Sequence, residues 1–217
     1  MSFVTLVRHG QANNGARTEE DYDKLSVLGH EQARLAGAYL AQINHGIREV
    51  ITGSLNRQRD TGRAIADALG VGVSEDERLN EINYFALEAS MQSYRPFIPG
   101  GRDEFILHFP QIMQAWKCEH ICCPNETFAE YEQRVLDVLS EAESAGGRLL
   151  ATSGGIIGMM MRHVLDLSVD AFSHALLQVH NASIHQYQIE AGGRRLVRFN
   201  ATPHFDPIDQ SHKRTFI

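Results

Sequence analysis

Cysteine, proline and tryptophan are scarce in this chain of 217 residues, with 3, 6 and 1 copies respectively. Cys118, Cys122 and Cys123 are an odd number packed into one stretch, which argues against a disulfide framework and for a reducing compartment. They lack paired Cys-x-x-Cys spacing, so even with His108 and His120 nearby they read as small buried hydrophobes, and no metal or cofactor is expected. No apolar run approaches the length of a membrane span. The opening Met1-Ser2-Phe3-Val4-Thr5-Leu6-Val7 has no basic n-region and is interrupted at once by Arg8 and His9, so a signal peptide is not expected and the cytoplasm is the expected location. Positive charge is also short: 20 Lys and Arg against 27 Asp and Glu give a formal −7, which disfavours nucleic acid or an acidic membrane as partner. An anion site must therefore be built locally.

What is present is the composition of a globular protein, 43% hydrophobic and 22% charged, without repeats or linkers, and it reads as one domain over 1–217. Val4-Thr5-Leu6-Val7 is a short strand apolar on both faces, hence a buried parallel strand, which delivers Arg8, His9 and Gly10 at its carboxyl end. A helix follows from Ser26, with Leu28, Leu35, Ala36, Tyr39, Leu40 and Ile43 on one face, then a strand Val50-Ile51-Thr52. Leu55, Gly62, Ile65, Ala66 and Leu69 mark a second helix ending at Gly70, before a short strand Val71-Gly72-Val73. This βαβαβ alternation predicts an α/β fold of three layers, with helices on both faces of a mostly parallel sheet.

The stretch at about 84–124 holds four of the six prolines, all three cysteines and the tryptophan, and reads as an irregular insertion. Thr127-Phe128-Ala129-Glu130 then matches a capping box, followed by the helical face Tyr131, Val135, Val138, Leu139 and Ala142. Leu149-Leu150-Ala151-Thr152 is a strand, Ser153-Gly154-Gly155 a turn, and Ile156 to about Leu167 a helix. The alternation Ile184 to Ile189, the turn Gly192-Gly193 and the run Leu196 to Phe199 read as a hairpin, and the tail after Pro203 as loop.

Four segments thus follow strands, at the sheet edge where open α/β folds gather ligand chemistry. Arg57 falls in the first turn of a helix, where free backbone N–H groups favour anions. Glu81, in Leu79-Asn80-Glu81, is a loop carboxylate placed for acid catalysis, and Ser153-Gly154-Gly155 opens a helix as an anion cradle. Asn13, Asn14, Arg17, Arg95 and Arg102 read first as solvated loop residues, with reach to a substrate as the alternative.

On these motifs the chain resembles the histidine phosphatase superfamily, the phosphoglycerate mutase-like family, over nearly its whole length. Leu6-Val7-Arg8-His9-Gly10-Gln11 is similar to the family's signature strand and turn, and Leu25 to Ala33 to its first-helix start. Leu55-Asn56-Arg57 through Thr61 is similar to the second-arginine motif, Leu79-Asn80-Glu81 with Tyr84 and Glu88 to the acid loop, and Glu126-Thr127 with Arg134-Val135 to the helix before the fourth core strand. The resemblance implies a phosphoglycerate mutase-like fold and a phosphomonoester hydrolase acting on a small phosphorylated substrate. It implies that His9 is the nucleophile, that Arg8 and Arg57 hold phosphoryl oxygens, that Glu81 is the proton donor, and that Ser153 and Gly154 help bind phosphate.

One departure stands out. Where the family carries His-Gly, this chain has Ser153-Gly154, which places it in a subgroup with serine there and removes a positive donor from the pocket. His180 is a candidate surrogate. Ala12, Gly15 and Phe85 also replace the Thr, Asn and Gly of many members. Three other readings remain open: a phospho-ligand-binding pseudoenzyme, a phosphoglycerate mutase, and a serine hydrolase with Ser153, Asp166 or Asp170, and His180 or His204 in triad order.

Overall fold

The computed structural model describes residues 2–13, 18–43, 46–191, 193–207 and 209–216. Asn14, Gly15, Arg17 and Gly192, singled out above, lie outside the described residues. The strands are Ser2–Arg8 (β1), Glu49–Thr52 (β2), Gly72–Glu75 (β3), Arg148–Thr152 (β4), Ile184–Glu190 (β5) and Gly193–Ala201 (β6). They form a sheet in the order β3-β2-β4-β1-β5-β6. The first four are parallel, while β5 runs antiparallel to both β1 and β6. The helices are Glu19–Tyr22 (α1), Val27–Ile43 (α2), Asn56–Leu69 (α3), Tyr84–Tyr94 (α4), Arg102–Lys117 (α5), Phe128–Ala145 (α6), Gly154–Leu165 (α7) and Val169–Leu177 (α8).

The period-two geometry of the strands splits the core in two. Val4, Leu6, Ile51 and Leu150 join the larger cluster, with Tyr131, Val135, Leu139, Ile157, Met160 and Phe172 from α6, α7 and α8. Val7, Val50, Leu149 and Ala151 point the other way, onto Leu40 of α2 and Ile65 and Ala66 of α3. The fold is therefore the three-layered α/β/α arrangement that the alternation predicts. Its helix ends follow the signals read from sequence: Thr127 and Glu130 form both halves of the capping box, and Gly70 closes α3 at φ 68°.

Two expectations need correction. The segment at about 84–124 is not irregular, because most of it forms α4 and α5. Pro96, Pro99 and Pro124 stand in the connections, whereas Pro110 sits inside α5 and is tolerated there. An aromatic cluster compensates for its poor helix chemistry: Tyr84 packs on Phe105 and Phe109 at 5.7 and 5.9 Å between ring centroids, tying α4 to α5. β5 and β6 pair as the expected hairpin, and His185, Gln186 and Gln188 of β5 are buried, with Gln186 Nε2 donating to Thr5 Oγ1 at 3.0 Å and Gln188 Oε1 accepting from Arg195 Nη2 at 3.0 Å. The stretch after Leu167 contains α8, capped by Ser168 on the Ala171 N–H at 3.1 Å, and the tail contains two short 3-10 turns.

Candidate active site

β1 and β4 end in step, with Arg8 opposite Thr152, so His9 leaves the sheet beside Ser153. The His9 main chain is held from both sides: its N–H donates to Thr152 O at 2.8 Å, and its carbonyl accepts from Ala182 N at 3.3 Å and Asn181 Nδ2 at 3.4 Å. The imidazole is buried, and Nδ1 lies 2.7 Å from the Gly10 carbonyl. A carbonyl can only accept, so Nδ1 carries the proton and the Nε2 lone pair is left for chemistry. Burial first, then the positive fields of Arg57 and Arg8, hold the pKa of His9 well below the usual histidine value. The ring is thus neutral at pH 7, as a nucleophile must be.

The turn at Gly10 works only without side chains. A Cβ on Gly10 would overlap the Gly29 carbonyl, and one on Gly29 would overlap the carbonyl of Gln11. Gly10 N–H donates to Thr61 Oγ1 at 3.0 Å, which in turn donates to Arg57 O at 2.8 Å. The loop that carries His9 and the second arginine are therefore mechanically connected through α3.

Arg8 is buried, donates Nη1 to the Val179 carbonyl and keeps its Nε shielded from solvent with no protein partner. Arg57 is fully buried; its Nη1 meets Asp23 Oδ1 at 3.2 Å, and its guanidinium lies 4.8 Å over the Tyr22 ring. Asp23 also accepts from the N–H groups of Asn56 at 2.9 Å and Arg57 at 3.2 Å, supplying the N-terminal cap that Leu55 cannot give α3. Nothing in the local sequence pattern marks Asp23, because its role depends on a contact made across 34 residues.

Glu81 reaches the amino end of α7: Oε2 accepts from Gly155 N–H at 3.0 Å and Oε1 from its own neighbour Ile82 at 3.0 Å. A side chain at 155 would overlap Oε1, so the glycine is what lets the carboxylate approach. Below it the buried Tyr131 hydroxyl has no hydrogen-bond partner, and burial first, then the Glu81 charge, keeps it un-ionised. The anion cradle expected at 153–155 is thus partly filled by the protein's own carboxylate, which the helix amino end attracts.

Ser153 is fully buried, and its Oγ accepts from Gln58 Nε2 at 2.8 Å. The same Nε2 donates to the Leu79 carbonyl at 2.9 Å, an acceptor that fixes which end of the amide faces Ser153. The serine proton is consequently not used on Gln58. Gln58 is absent from the expectations above, where it reads as one more helix residue beside Arg57.

Arg8, His9, Arg57, Glu81, Ser153 and Gly154 therefore meet at one edge of the sheet, where a Cβ at position 154 would stand 3.7 Å from Arg8 Nε. The triad alternative does not assemble. Ser153 pairs with an amide, Asp170 lies 3.8 Å from His174, and His204 packs between Tyr39 and Phe205 with both ring nitrogens unpartnered. Asn13 donates to the Asp21 carbonyl at 3.1 Å, and Arg95 lies over Tyr94 in a separate cavity of about 550 Å³ that also holds Cys118 and His120. Among the described residues, no group of three or more His, Cys, Asp or Glu is arranged to hold a metal, and no helix is long and apolar enough to cross a membrane.

The sequence model described as the histidine phosphatase superfamily (branch 1) matches residues 4–202. A relative from Erwinia tasmaniensis, named "Probable phosphoglycerate mutase GpmB", is 29% identical over 198 residues, covering 85% of this chain and 83% of its own. A mycobacterial glucosyl-3-phosphoglycerate phosphatase structure with VO3 superposes with a TM-score of 0.66 at 23% identity, over 93% of this chain and 100% of that one. Phosphoserine phosphatase from Entamoeba histolytica in complex with 3-phosphoglyceric acid gives 0.69 at 17% identity, over 94% and 99%. At those identities the two structures speak to the fold.

Proposed function

The chain belongs to the histidine phosphatase superfamily, and from that premise we propose that it hydrolyses small phosphomonoesters through a phosphohistidine on His9. The observation that carries this reading is the His9 ring itself: buried, with Nδ1–H given to Gly10 O, which leaves the Nε2 lone pair for chemistry, in the positive fields of the buried Arg57 and Arg8.

In the first step the Nε2 lone pair forms a bond to phosphorus as the bond from phosphorus to the ester oxygen breaks. Arg8 and Arg57 hold the phosphoryl oxygens, with Ser153 Oγ–H and the backbone at Gly154 as further donors, and Glu81 gives its proton to the departing alkoxide. In the second step water attacks phosphorus, its proton passes to the Glu81 carboxylate, and the electron pair of the P–N bond returns to Nε2. No step calls on a metal, so turnover is expected to survive chelation. Restoration of an EDTA-abolished activity by magnesium would contradict that.

His9→Ala tests the reading: it should abolish both turnover and acid-labile phosphate labelling of the protein. Labelling that persists in this variant would remove His9 from the nucleophile role. Binding of phosphate by the wild type with neither labelling nor turnover would instead favour the phospho-ligand-binding alternative. The name of the Erwinia relative favours one second reading, a phosphoglycerate mutase. That reading predicts phosphoryl transfer between the hydroxyls of a phosphoglycerate in place of phosphate release, and both products can be followed in one assay.

A further inference from the structure

The loop that carries Glu81 is held more tightly than the carboxyl itself. All three carbonyls ahead of Glu81 are taken: Arg134 Nη1 donates to Arg78 O at 2.6 Å and to Asn80 O at 2.9 Å, while Leu79 O accepts from Thr152 Oγ1 at 2.7 Å and Gln58 Nε2 at 2.9 Å. Arg134 is in turn fixed by Glu126, through Nε at 2.7 Å and Nη2 at 2.8 Å. A backbone so pinned leaves movement to the Glu81 side chain. Its oxygens accept from Gly155 N–H and Ile82 N–H, whereas an ionised carboxylate offers about four acceptor sites. There is capacity for a further donor.

An unused donor sits on the same turn of α6 as Arg134. Tyr131 is fully buried, and its hydroxyl has no protein partner. Its ring cannot swing that hydroxyl out to solvent, because it packs on Trp116 at 5.5 Å and Phe128 at 6.3 Å between centroids, with the Arg134 guanidinium 4.9 Å from its centre. A buried hydroxyl without a partner costs stability, and phenylalanine would fill the same space without that cost. The oxygen is therefore explained by a partner that the resting arrangement withholds. A Cβ at position 155 would stand 2.1 Å from Glu81 Oε1 and 3.0 Å from Tyr131 Oη, so carboxylate and hydroxyl flank one methyl-sized space that Gly155 keeps open. Burial first, then the charge of Glu81, keeps the hydroxyl un-ionised, and it retains a proton to share.

We propose that Tyr131 is a positioning residue for Glu81: as the carboxyl gives its proton to the leaving alkoxide, Oε1 turns across the space at Gly155 and accepts a hydrogen bond from Tyr131 Oη. The bond is charge-assisted, so it is stronger to the carboxylate than to the acid and favours proton donation. When Glu81 later takes a proton from the attacking water, the bond weakens and the resting contacts return. Tyr131 keeps its own proton throughout and acts only through Glu81. The proposal rests on the acid–base role given to Glu81 above and adds a second residue to it.

A double-mutant cycle tests it on the wild type, Tyr131→Phe, Glu81→Gln and the double variant. kcat/KM is measured for benzyl phosphate, whose alkoxide needs a proton, and for p-nitrophenyl phosphate, whose phenolate needs little. This quantity ends at release of the leaving group and is blind to the water step. Tyr131→Phe should lower kcat/KM for benzyl phosphate by roughly tenfold, the scale of one hydrogen bond to a charged group, and for the aryl ester much less. Added to Glu81→Gln it should cause no further fall in the benzyl-to-aryl ratio, because no carboxylate is left to stabilise. Tyr131→Phe should also melt at or above the wild-type Tm, having shed an unpaired buried oxygen. A merely structural tyrosine would instead lower Tm and both rates together. A ratio unmoved by Tyr131→Phe but shifted by Glu81→Gln, a further fall of the ratio in the double variant, or a lower Tm overturns the role of Tyr131 and leaves that of Glu81. A ratio unmoved by Glu81→Gln removes the acid role and this proposal together, and a wild type that turns over neither ester removes the phosphatase reading with them.

Discussion

Replacing Ser153 by histidine is the perturbation that the sequence departure invites, and the structure changes its expected result. The family resemblance alone implies a gain, because one more positive donor on the transferring phosphoryl group is worth about 2.7–4 kcal/mol, or 10² to 10³ in kcat. Ser153, however, is fully buried with Gln58 Nε2 at 2.8 Å, so an imidazole there must claim space that the amide occupies. Overpacking of this kind costs roughly 1–3 kcal/mol. At about 2–4 °C of Tm per kcal/mol for a chain of this size, Ser153→His alone should lower Tm by roughly 2–12 °C without raising kcat. Adding Gln58→Ala opens the space. It sacrifices two neutral hydrogen bonds, each about 0.5–1.5 kcal/mol, but does not strand the Leu79 carbonyl, which keeps Thr152 Oγ1 at 2.7 Å. It also removes a buried Gln58 Oε1 that has no partner. The double variant should therefore recover most of the Tm and be the one that gains kcat. Parallel p-nitrophenyl phosphate kinetics and thermal melts on the four proteins decide it. A single Ser153→His variant that turns over tenfold faster at wild-type Tm would refute the reasoning.

Three further outcomes follow from the geometry. Glu81→Gln should slow alkyl phosphates more than aryl phosphates, because good leaving groups need little proton donation, and equal losses on both would take Glu81 out of the acid role. Asp23→Ala removes the cap of α3 and a partner of Arg57, so it should cost about 0.5–2 kcal/mol in chemical denaturation, and an unchanged midpoint would show that the cap contributes nothing. His204 is buried with its pKa pushed down to about 4, first by desolvation, against 6.5 unfolded. The unfolded chain therefore binds the extra proton between those values, and stability is lost as pH falls from 6.5 to 4 at about 1.4 kcal/mol per pH unit. His204→Leu should flatten the Tm profile across that window, whereas two parallel profiles would count against a buried neutral His204.

The residues that follow strands were legible because a strand apolar on both faces implies a parallel sheet, and a parallel sheet aligns its carboxyl ends. Arg8, His9, Arg57, Glu81 and Ser153 were found that way. Asp23 and Gln58 were not, because each acts through a partner distant in sequence, and neither breaks the local pattern. α4 and α5 were missed since four prolines and a cluster of aromatics mimic an irregular loop, and only packing of Tyr84 on Phe105 and Phe109 reveals why the chain coils there. The buried polar face of β5 likewise depends on its place between β1 and β6, which alternation alone does not disclose.

Gly10 and Gly29 press backbone to backbone, each filling the volume that the other's neighbourhood would need for a Cβ. Their fates under mutation are therefore tied. A methyl group at Gly29, on the surface of α2 nearest the turn, would push Gln11 and with it the segment carrying His9, although Gly29 has no chemistry of its own. Random mutagenesis scored by phosphate release should for this reason return loss-of-function changes at position 29 as readily as at position 10. Such a screen would map a second inactivating hotspot on a helix, 20 positions along the chain from the histidine that it silences.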